Sequence, residues 1–168
     1  ALIIWLLFGA GFRVTEIACI TVQDVLLKSG KLKTSVLIPA RYTKNGEAGH
    51  VFLHNKKLQE ALNVYLNMRI SKRKRVSVDS TNFRTLQPHS PLILSENGGG
   101  YSLKKKRRIN AEGESVEYWA ADTLQELVTR WGKEAGIKNF KTHSGRRTLA
   151  TRLSKVSGLD EQKLCALM

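Results

Sequence analysis

The order of apolar and polar positions predicts helices first and a small set of strands after them. Residues 1–8 (ALIIWLLF) are apolar on every side, which is typical of a buried core helix. Gly9 and Gly11 follow as turn residues, and a short second helix is predicted over 13–20. The pattern then predicts a β-hairpin over 24–38 and a further strand over 50–54.

The second half of the chain has a mostly helical pattern. Apolar residues at a spacing of three and four predict an amphipathic helix over 56–69. Further helices are predicted over 118–135 and 144–156, and Asp160 is a candidate N-cap for a last one. Long surface loops with basic runs are predicted at about 69–90 and 102–117. We therefore expect an α+β fold, mainly helical, with a small antiparallel sheet on one flank.

Charge changes this picture more than size does. The 168 residues suit a single domain and carry 28 Lys and Arg against 14 Asp and Glu, a net charge of +14. Such an excess favours a polyanionic partner over mere solubility. The longest apolar run is far shorter than the ~20 residues of a membrane-spanning helix, so no membrane contact is expected. Two cysteines cannot form a disulfide framework, which favours a reducing compartment.

Arg13 and Glu16 are the first candidates for chemistry. Arg13 follows a glycine turn and opens a helix, where an arginine adds a bidentate fork for phosphate. Glu16 lies on the same helical face and can hold that arginine. On these residues alone, an ordinary surface ion pair is the better interpretation.

A second cluster occupies residues 142–148 (THSGRRT). His143 and Arg146 share one helical face and can bind an oxyanion, although Arg147 shares that side with His143 equally well. The alternative is a helix start with a capping histidine and solvated arginines, and spacing does not decide between them. Lys44, at a predicted hairpin tip, has no feature of its own beyond a solvated lysine.

Read together, these segments resemble the catalytic domain of the tyrosine recombinases, the phage-integrase-like family. Its T-G-x-R-x-x-E pattern corresponds to AGFRVTE at 10–16, and its H-x-x-R-R-T-x-A-T pattern to HSGRRTLAT at 143–151, with a hairpin lysine between them. The resemblance covers almost the whole chain and selects Arg146 over Arg147. It implies Glu16 as a supporting carboxylate and these active-site residues: Arg13, Lys44, His143 and Arg146.

The resemblance also implies a reaction. A tyrosine attacks a DNA phosphodiester to form a 3′-phosphotyrosyl link, and strands are cut and rejoined without a metal or other cofactor. It implies double-stranded DNA as partner, self-association as a tetramer on DNA, and a cytoplasmic, nucleoid-associated protein encoded by a bacterium or a phage. The pair His50 and His54 does not suggest a metal site, because four strand positions separate them by ~13 Å.

The chain departs from the family pattern in three places. The DNA-clamp domain that precedes the catalytic domain is not matched, and the Gly-His and nucleophilic tyrosine that follow the second motif are not reached. Gly145 stands where leucine is commoner. We therefore expect residues 1–168 to be a single catalytic-domain fragment, inactive alone. The alternative is a non-catalytic DNA-binding module of the same fold.

The basic runs are the remaining candidates. Their side chains are expected to contact DNA phosphates, which position a protein without specifying sequence. They are Lys72, Arg73, Lys74, Arg75, Lys104, Lys105, Lys106, Arg107, Arg108 and Arg147.

Overall fold

The computed structural model describes residues 1–43, 46–78, 81–109, 111 and 113–157. Within these ranges the chain forms α-helices and two separate antiparallel strand pairs, so the predicted α+β class is confirmed, with two small sheets in place of one. The helices are α1 (Leu2–Gly9), α2 (Val14–Cys19), α3 (Val22–Val25), α4 (Lys56–Ser71), α5 (Asp122–Glu134) and α6 (Ser144–Ser157). The strands are β1 (Ser35–Ile38), β2 (Gly49–Phe52), β3 (Lys104–Ile109) and β4 (Ser115–Ala120), and single 3₁₀ turns lie at Ala40–Tyr42 and Asn82–Thr85.

Helix α1 is at the centre of the core. Its Leu6 and Leu7 are buried, and the helix packs against both α4 and α6. Helix α4 contributes a buried stripe of Leu58, Leu62 and Leu66, spaced four residues apart. The predicted core helix and the predicted amphipathic helix are both confirmed, since α1 is apolar on every side and α4 carries its buried leucines at the helical repeat.

The hairpin predicted over 24–38 is wrong in its first half. Residues Val22–Val25 form the short helix α3 instead, and Leu26 and Leu32 meet only in an isolated bridge. Asp24 explains the difference, since its Oδ2 accepts hydrogen bonds from the backbone N–H and the hydroxyl of Thr21, both at 2.7 Å. That pair is a helix N-terminal cap, which favours a helical turn over a strand.

The hairpin that does form joins β1 to β2, with Val36 opposite Val51. The second hairpin joins β3 to β4 and corrects two predictions: residues 102–117 are not a loop, and the helix predicted from 118 begins at Asp122. Every residue of β3 is exposed. Cross-strand ion pairs of Glu117 with Lys105 and Arg107 hold this strand pair in place of apolar contacts.

The segment predicted as a loop at 69–90 is irregular apart from the last turn of α4 and one 3₁₀ turn. Arg69, at its start, is fully buried and fixes the segment from inside. Its guanidinium donates to the backbone oxygens of Pro91 and Leu92 at 2.9 and 3.1 Å and to the Ser90 hydroxyl at 2.9 Å. A buried arginine therefore ties α4 to residues 90–92.

None of the described helices is both long and apolar enough to cross a membrane. The Asp160 N-cap and the stripe running to Met168 lie outside the described residues.

Candidate active site

Arg13 is positioned by the turn that joins α1 to α2. Gly11 has φ +75°, a left-handed conformation that glycine adopts without strain, and Phe12 is buried beside it. Arg13 is the N-cap of α2, with extended backbone. Glu16 holds it twice, because its Oε2 accepts from the Arg13 backbone N–H at 2.7 Å and its Oε1 from Arg13 Nη1 at 2.6 Å.

Arg146 reaches the same place from α6. Gly145 is buried against α1, where an added Cβ would lie 2.5 Å from the backbone oxygen of Leu7. This close approach brings Arg146 Nη1 within 3.0 Å of the Gly11 backbone oxygen, to which it donates. The same nitrogen lies 4.0 Å from Glu16 Oε2. The structure therefore brings Arg13, Glu16 and Arg146 together, as the sequence predicts.

The electrostatics of this cluster leave one positive charge in excess. The Glu16 side chain is 2% exposed, against 29% for Arg13 and 14% for Arg146. Burial, and the positive charge of Arg13, lower the pKa of Arg146, while Glu16 opposes that effect. A guanidinium has five N–H donors. In the described part of the chain, the contacts of Arg13 and Arg146 with protein each involve a single side-chain nitrogen, Nη1. The arrangement suits an anion with several oxygens.

A cleft of about 150 Å³ opens beside Arg13. One wall comes from the 3₁₀ turn at Ala40–Tyr42 and the other from the β3–β4 hairpin. Its lining residues are Arg13, Thr15, Arg41, Tyr42, Thr43, Arg108, Val116, Glu117, Tyr118 and Trp119. The rings of Tyr42 and Trp119 meet edge-to-face at 6.1 Å, which joins the two walls.

Sequence reasoning did not identify Arg41, Tyr42 or Trp119 as part of this cleft. No motif marks them, and they meet only because two hairpins distant in sequence pack side by side. Only a strand predicted over residues 115–120 would indicate that Trp119 belongs to a hairpin wall.

Lys44 lies outside the described residues. Its neighbour Thr43 lines the cleft, and the Thr43 hydroxyl contacts the backbone oxygens of Ala40 at 2.8 Å and Glu47 at 2.7 Å. The described residues on either side of Lys44 are therefore held to one another at the edge of the cleft.

His143 and Arg147 are both exposed at the start of α6. The backbone oxygen of His143 accepts a hydrogen bond from Arg147 N–H at 3.1 Å, which is part of the first helical turn. Of the two adjacent arginines, Arg146 enters the cluster with Glu16 whereas Arg147 is exposed.

The basic runs lie in different settings. Lys72, Arg73 and Arg75 are exposed just after α4, and Lys74 is half-buried. On β3, Lys105 and Arg107 pair with Glu117, and Lys106 pairs with Asp122 at 2.7 Å. Arg108 instead lines the cleft. Among the residues that the structure describes, no three His, Cys, Asp or Glu side chains form a group that could hold a metal ion.

A family model and several solved structures match this chain. The Phage integrase family model matches residues 1–168. Among solved structures, Tn1549 transposon integrase in complex with a circular intermediate DNA has a TM-score of 0.57 at 17% identity, with 99% of this chain and 49% of that chain covered. The same integrase in complex with transposon right end DNA has a TM-score of 0.53 at 20% identity, with the same coverage. The chain thus spans about half the length of the integrases whose fold it shares. A search of curated protein sequences found no match.

Proposed function

The chain belongs to the phage integrase family, and from that membership we propose that it is the catalytic domain of a tyrosine-type site-specific recombinase. The observation that carries the proposal is the convergence of Arg13 and Arg146 on the buried carboxylate of Glu16. These residues come from opposite ends of the sequence, and a family motif contains each. Because the chain spans half of the integrases it matches, the activity is proposed for the protein that carries this domain.

The two arginines are proposed to bind the scissile phosphate. In the transition state of phosphoryl transfer, negative charge is spread over the non-bridging oxygens. Guanidinium groups bind such oxygens in pairs of parallel hydrogen bonds, and their charge does not depend on pH near neutrality. Glu16 holds Arg13 through two hydrogen bonds, so that little reorganisation is needed when substrate binds.

The remaining steps are proposed from family membership. A tyrosine oxygen attacks phosphorus and the bond to the 5′ oxygen breaks, which gives a 3′-phosphotyrosyl link and a 5′-hydroxyl. Lys44 is proposed to donate the proton that the departing 5′ oxygen takes up. His143 is proposed to donate a hydrogen bond to a phosphate oxygen. The attacking tyrosine is proposed to belong to a segment beyond Met168.

Double-stranded DNA is the proposed partner. The excess of 14 positive charges supports this choice, as do the DNA complexes of the structurally similar transposon integrase. The exposed basic residues after α4 and on β3 are proposed to contact phosphates along the duplex. The proposed assembly is a tetramer on DNA. The proposed location is the cytoplasm, in association with the nucleoid, for a protein encoded by a bacterium or a phage.

Two adjacent arginines give a matched test of the catalytic assignment. In the full-length protein, Arg146→Ala should lower the rate of covalent adduct formation on a nicked suicide substrate by about 10²–10³-fold. Arg147→Ala removes the same charge one residue away and should retain most of that rate. DNA affinity should change by similar amounts in both variants, because Arg146 acts mainly in the transition state. Equal loss of cleavage in the two variants would contradict the assignment.

A second experiment tests the proposed source of the nucleophile. Residues 1–168 alone should bind DNA and form no covalent adduct, because arginine, lysine and histidine side chains here supply no phosphotyrosyl linkage. Tyr42 and Tyr118 line the cleft beside Arg13 and are the internal alternatives. An adduct formed by the chain alone, and abolished by Tyr42→Phe or Tyr118→Phe, would overturn the proposal.

A further inference from the structure

We propose that Arg41 and Arg108 hold a second DNA phosphate, next along the strand from the one bound by Arg13 and Arg146. This inference rests on the proposed function and adds a subsite to it. No motif contains Arg41, and Arg108 was singled out only as one member of a basic run. Both residues line the cleft that begins at Arg13.

Arg41 is presented by the 3₁₀ turn at Ala40–Tyr42. Its side chain is exposed, and its guanidinium carbon lies 4.8 Å from the centroid of the Tyr42 ring. The Tyr42 ring is in turn packed against Trp119 across the cleft. The aromatic face restricts where the guanidinium can lie and leaves its N–H edge available to an anion.

Arg108 is presented from the other wall in the same manner. On the β3–β4 ladder it lies opposite Val116, and its guanidinium carbon is 5.8 Å from the centroid of the Tyr118 ring. Val116 and Tyr118 both line the cleft. Two arginines, each placed over a tyrosine ring, therefore face one space from opposite sides.

The charges in the cleft are unbalanced without a ligand. Among the described residues, three arginines, Arg13, Arg41 and Arg108, line it with one carboxylate, Glu117, and Glu16 pairs with Arg13 from outside the lining. Glu117 is already bound by Lys105 and Arg107. In the described part of the chain, neither Arg41 nor Arg108 has a carboxylate within ion-pair distance. Like charges that converge in this way repel one another unless an anion lies between them.

DNA supplies a second anion beside each phosphate. Successive phosphates on one strand are separated by a rise of about 3.4 Å along the helix axis. A phosphate bound at Arg13 therefore has a neighbour within reach of the rest of the cleft. Such a contact binds the ground state and the transition state alike, so it should add affinity and alignment rather than chemistry.

The test compares two double variants of equal charge. Arg41→Gln with Arg108→Gln removes the cleft pair, and Lys133→Gln with Lys138→Gln removes two exposed lysines that lie outside the cleft. Duplex affinity is measured by fluorescence anisotropy at several salt concentrations. Loss of one phosphate contact should reduce the slope of log K against log salt by about 0.9 in the cleft variant. Its Kd should rise about tenfold, the effect expected for a charge-assisted hydrogen bond. The control should change much less in both measurements.

The outcomes separate this inference from the proposed function. If the unmodified chain binds duplex DNA without salt dependence, the proposed function fails and this subsite fails with it. If the unmodified chain binds as expected but the two double variants lose equal affinity and slope, the subsite alone is overturned.

In the full-length protein the cleft variant should raise KM and leave kcat unchanged. A fall in kcat at constant KM would place these arginines on the scissile phosphate and overturn the assignment to a second one. Because both side chains are exposed, each single variant should fold, and thermal unfolding checks this.

Discussion

Glu16 lies between two guanidinium groups, one from its own helix and one from α6, and its side chain is almost completely buried. Its role depends on a contact with a residue distant in sequence. The spacing of Arg13 and Glu16 predicts their ion pair, because residues three apart share a helical face. The contribution of Arg146 could be predicted only through the family resemblance, since spacing alone left Arg146 and Arg147 equivalent. In the folded chain Arg146 is half-buried and Arg147 is exposed, and this difference arises only when α6 packs against α1.

Removal of the Glu16 charge should therefore reduce stability. In Glu16→Gln the guanidinium groups of Arg13 and Arg146 face each other without a carboxylate between them. Arg146 is half-buried, so water screens this repulsion only in part. We expect the free energy of unfolding to fall by roughly 1–3 kcal/mol, as measured by urea denaturation. Glu134→Gln breaks an exposed pair with Arg130 and should change stability by less than about 1 kcal/mol. Equal effects in both variants would show that the Glu16 cluster is an ordinary surface pair.

Cys19 gives a residue-scale prediction of pH dependence. Burial, followed by the negative charges of Glu16 and Asp24, raises its pKa from 9.0 to about 12. The folded chain should therefore react slowly with iodoacetamide at Cys19 even at pH 10, and peptide mapping by mass spectrometry follows the label. In the urea-unfolded chain the same thiol should react readily at that pH. Because the pKa is raised on folding, the linked stability is present below pH 9 and is lost as the pH rises towards 12. Rapid labelling of Cys19 in the folded chain at pH 8 would contradict the burial described.

At the scale of elements, helices were easier to predict than strands. The stripe of α4 has a helical period and α1 is a continuous apolar run, and both are local patterns that predict a helix. The hairpin β3–β4 was missed because β3 has a basic run, KKKRRI, without alternation of apolar and polar residues. Its stability comes from cross-strand pairs with Glu117, and such contacts do not appear in a local pattern.

The approach of α6 to α1 depends on Gly145. An added Cβ would meet backbone atoms of Leu7, which cannot move without shifting α1. We expect Gly145→Ala to reduce the free energy of unfolding by about 1–3 kcal/mol. It should also slow DNA cleavage by the full-length protein, because α6 carries Arg146.

Gly49→Ala is the matched control for Gly145→Ala. Gly49 has no neighbour within 4 Å of the added methyl group, so a change of less than about 0.5 kcal/mol is expected. Thermal denaturation followed by circular dichroism compares the two variants. If the two glycines tolerate alanine equally, the close contact between α6 and α1 is not required for the fold.

At the scale of the whole molecule, the number of positive charges can be read from composition, but their placement cannot. Of the five basic residues on β3, three are paired with carboxylates and Arg108 faces the cleft. The cleft itself comes from turns and strands that are far apart in sequence. Composition predicts a polyanionic partner, but the surface that would bind this partner can be identified only in the folded structure.

Total charge and placed charge can be separated by experiment. One variant replaces Lys104, Lys105, Lys106, Arg107 and Arg108 by glutamine, and a second replaces Lys56, Lys57, Arg130, Lys133 and Lys138. Each lowers the net charge from +14 to +9, since five positive charges are removed.

If only the total charge matters, the two variants should lose equal affinity for a duplex of random sequence. We expect the β3 variant to lose more, and to show the shallower dependence of log K on log salt, because its residues contact phosphates and release counterions. The loss should be similar for unrelated DNA sequences, since phosphate contacts carry no sequence information. A larger loss in the second variant would place the DNA against the basic residues of α4 and α5 and would contradict the assignment to β3.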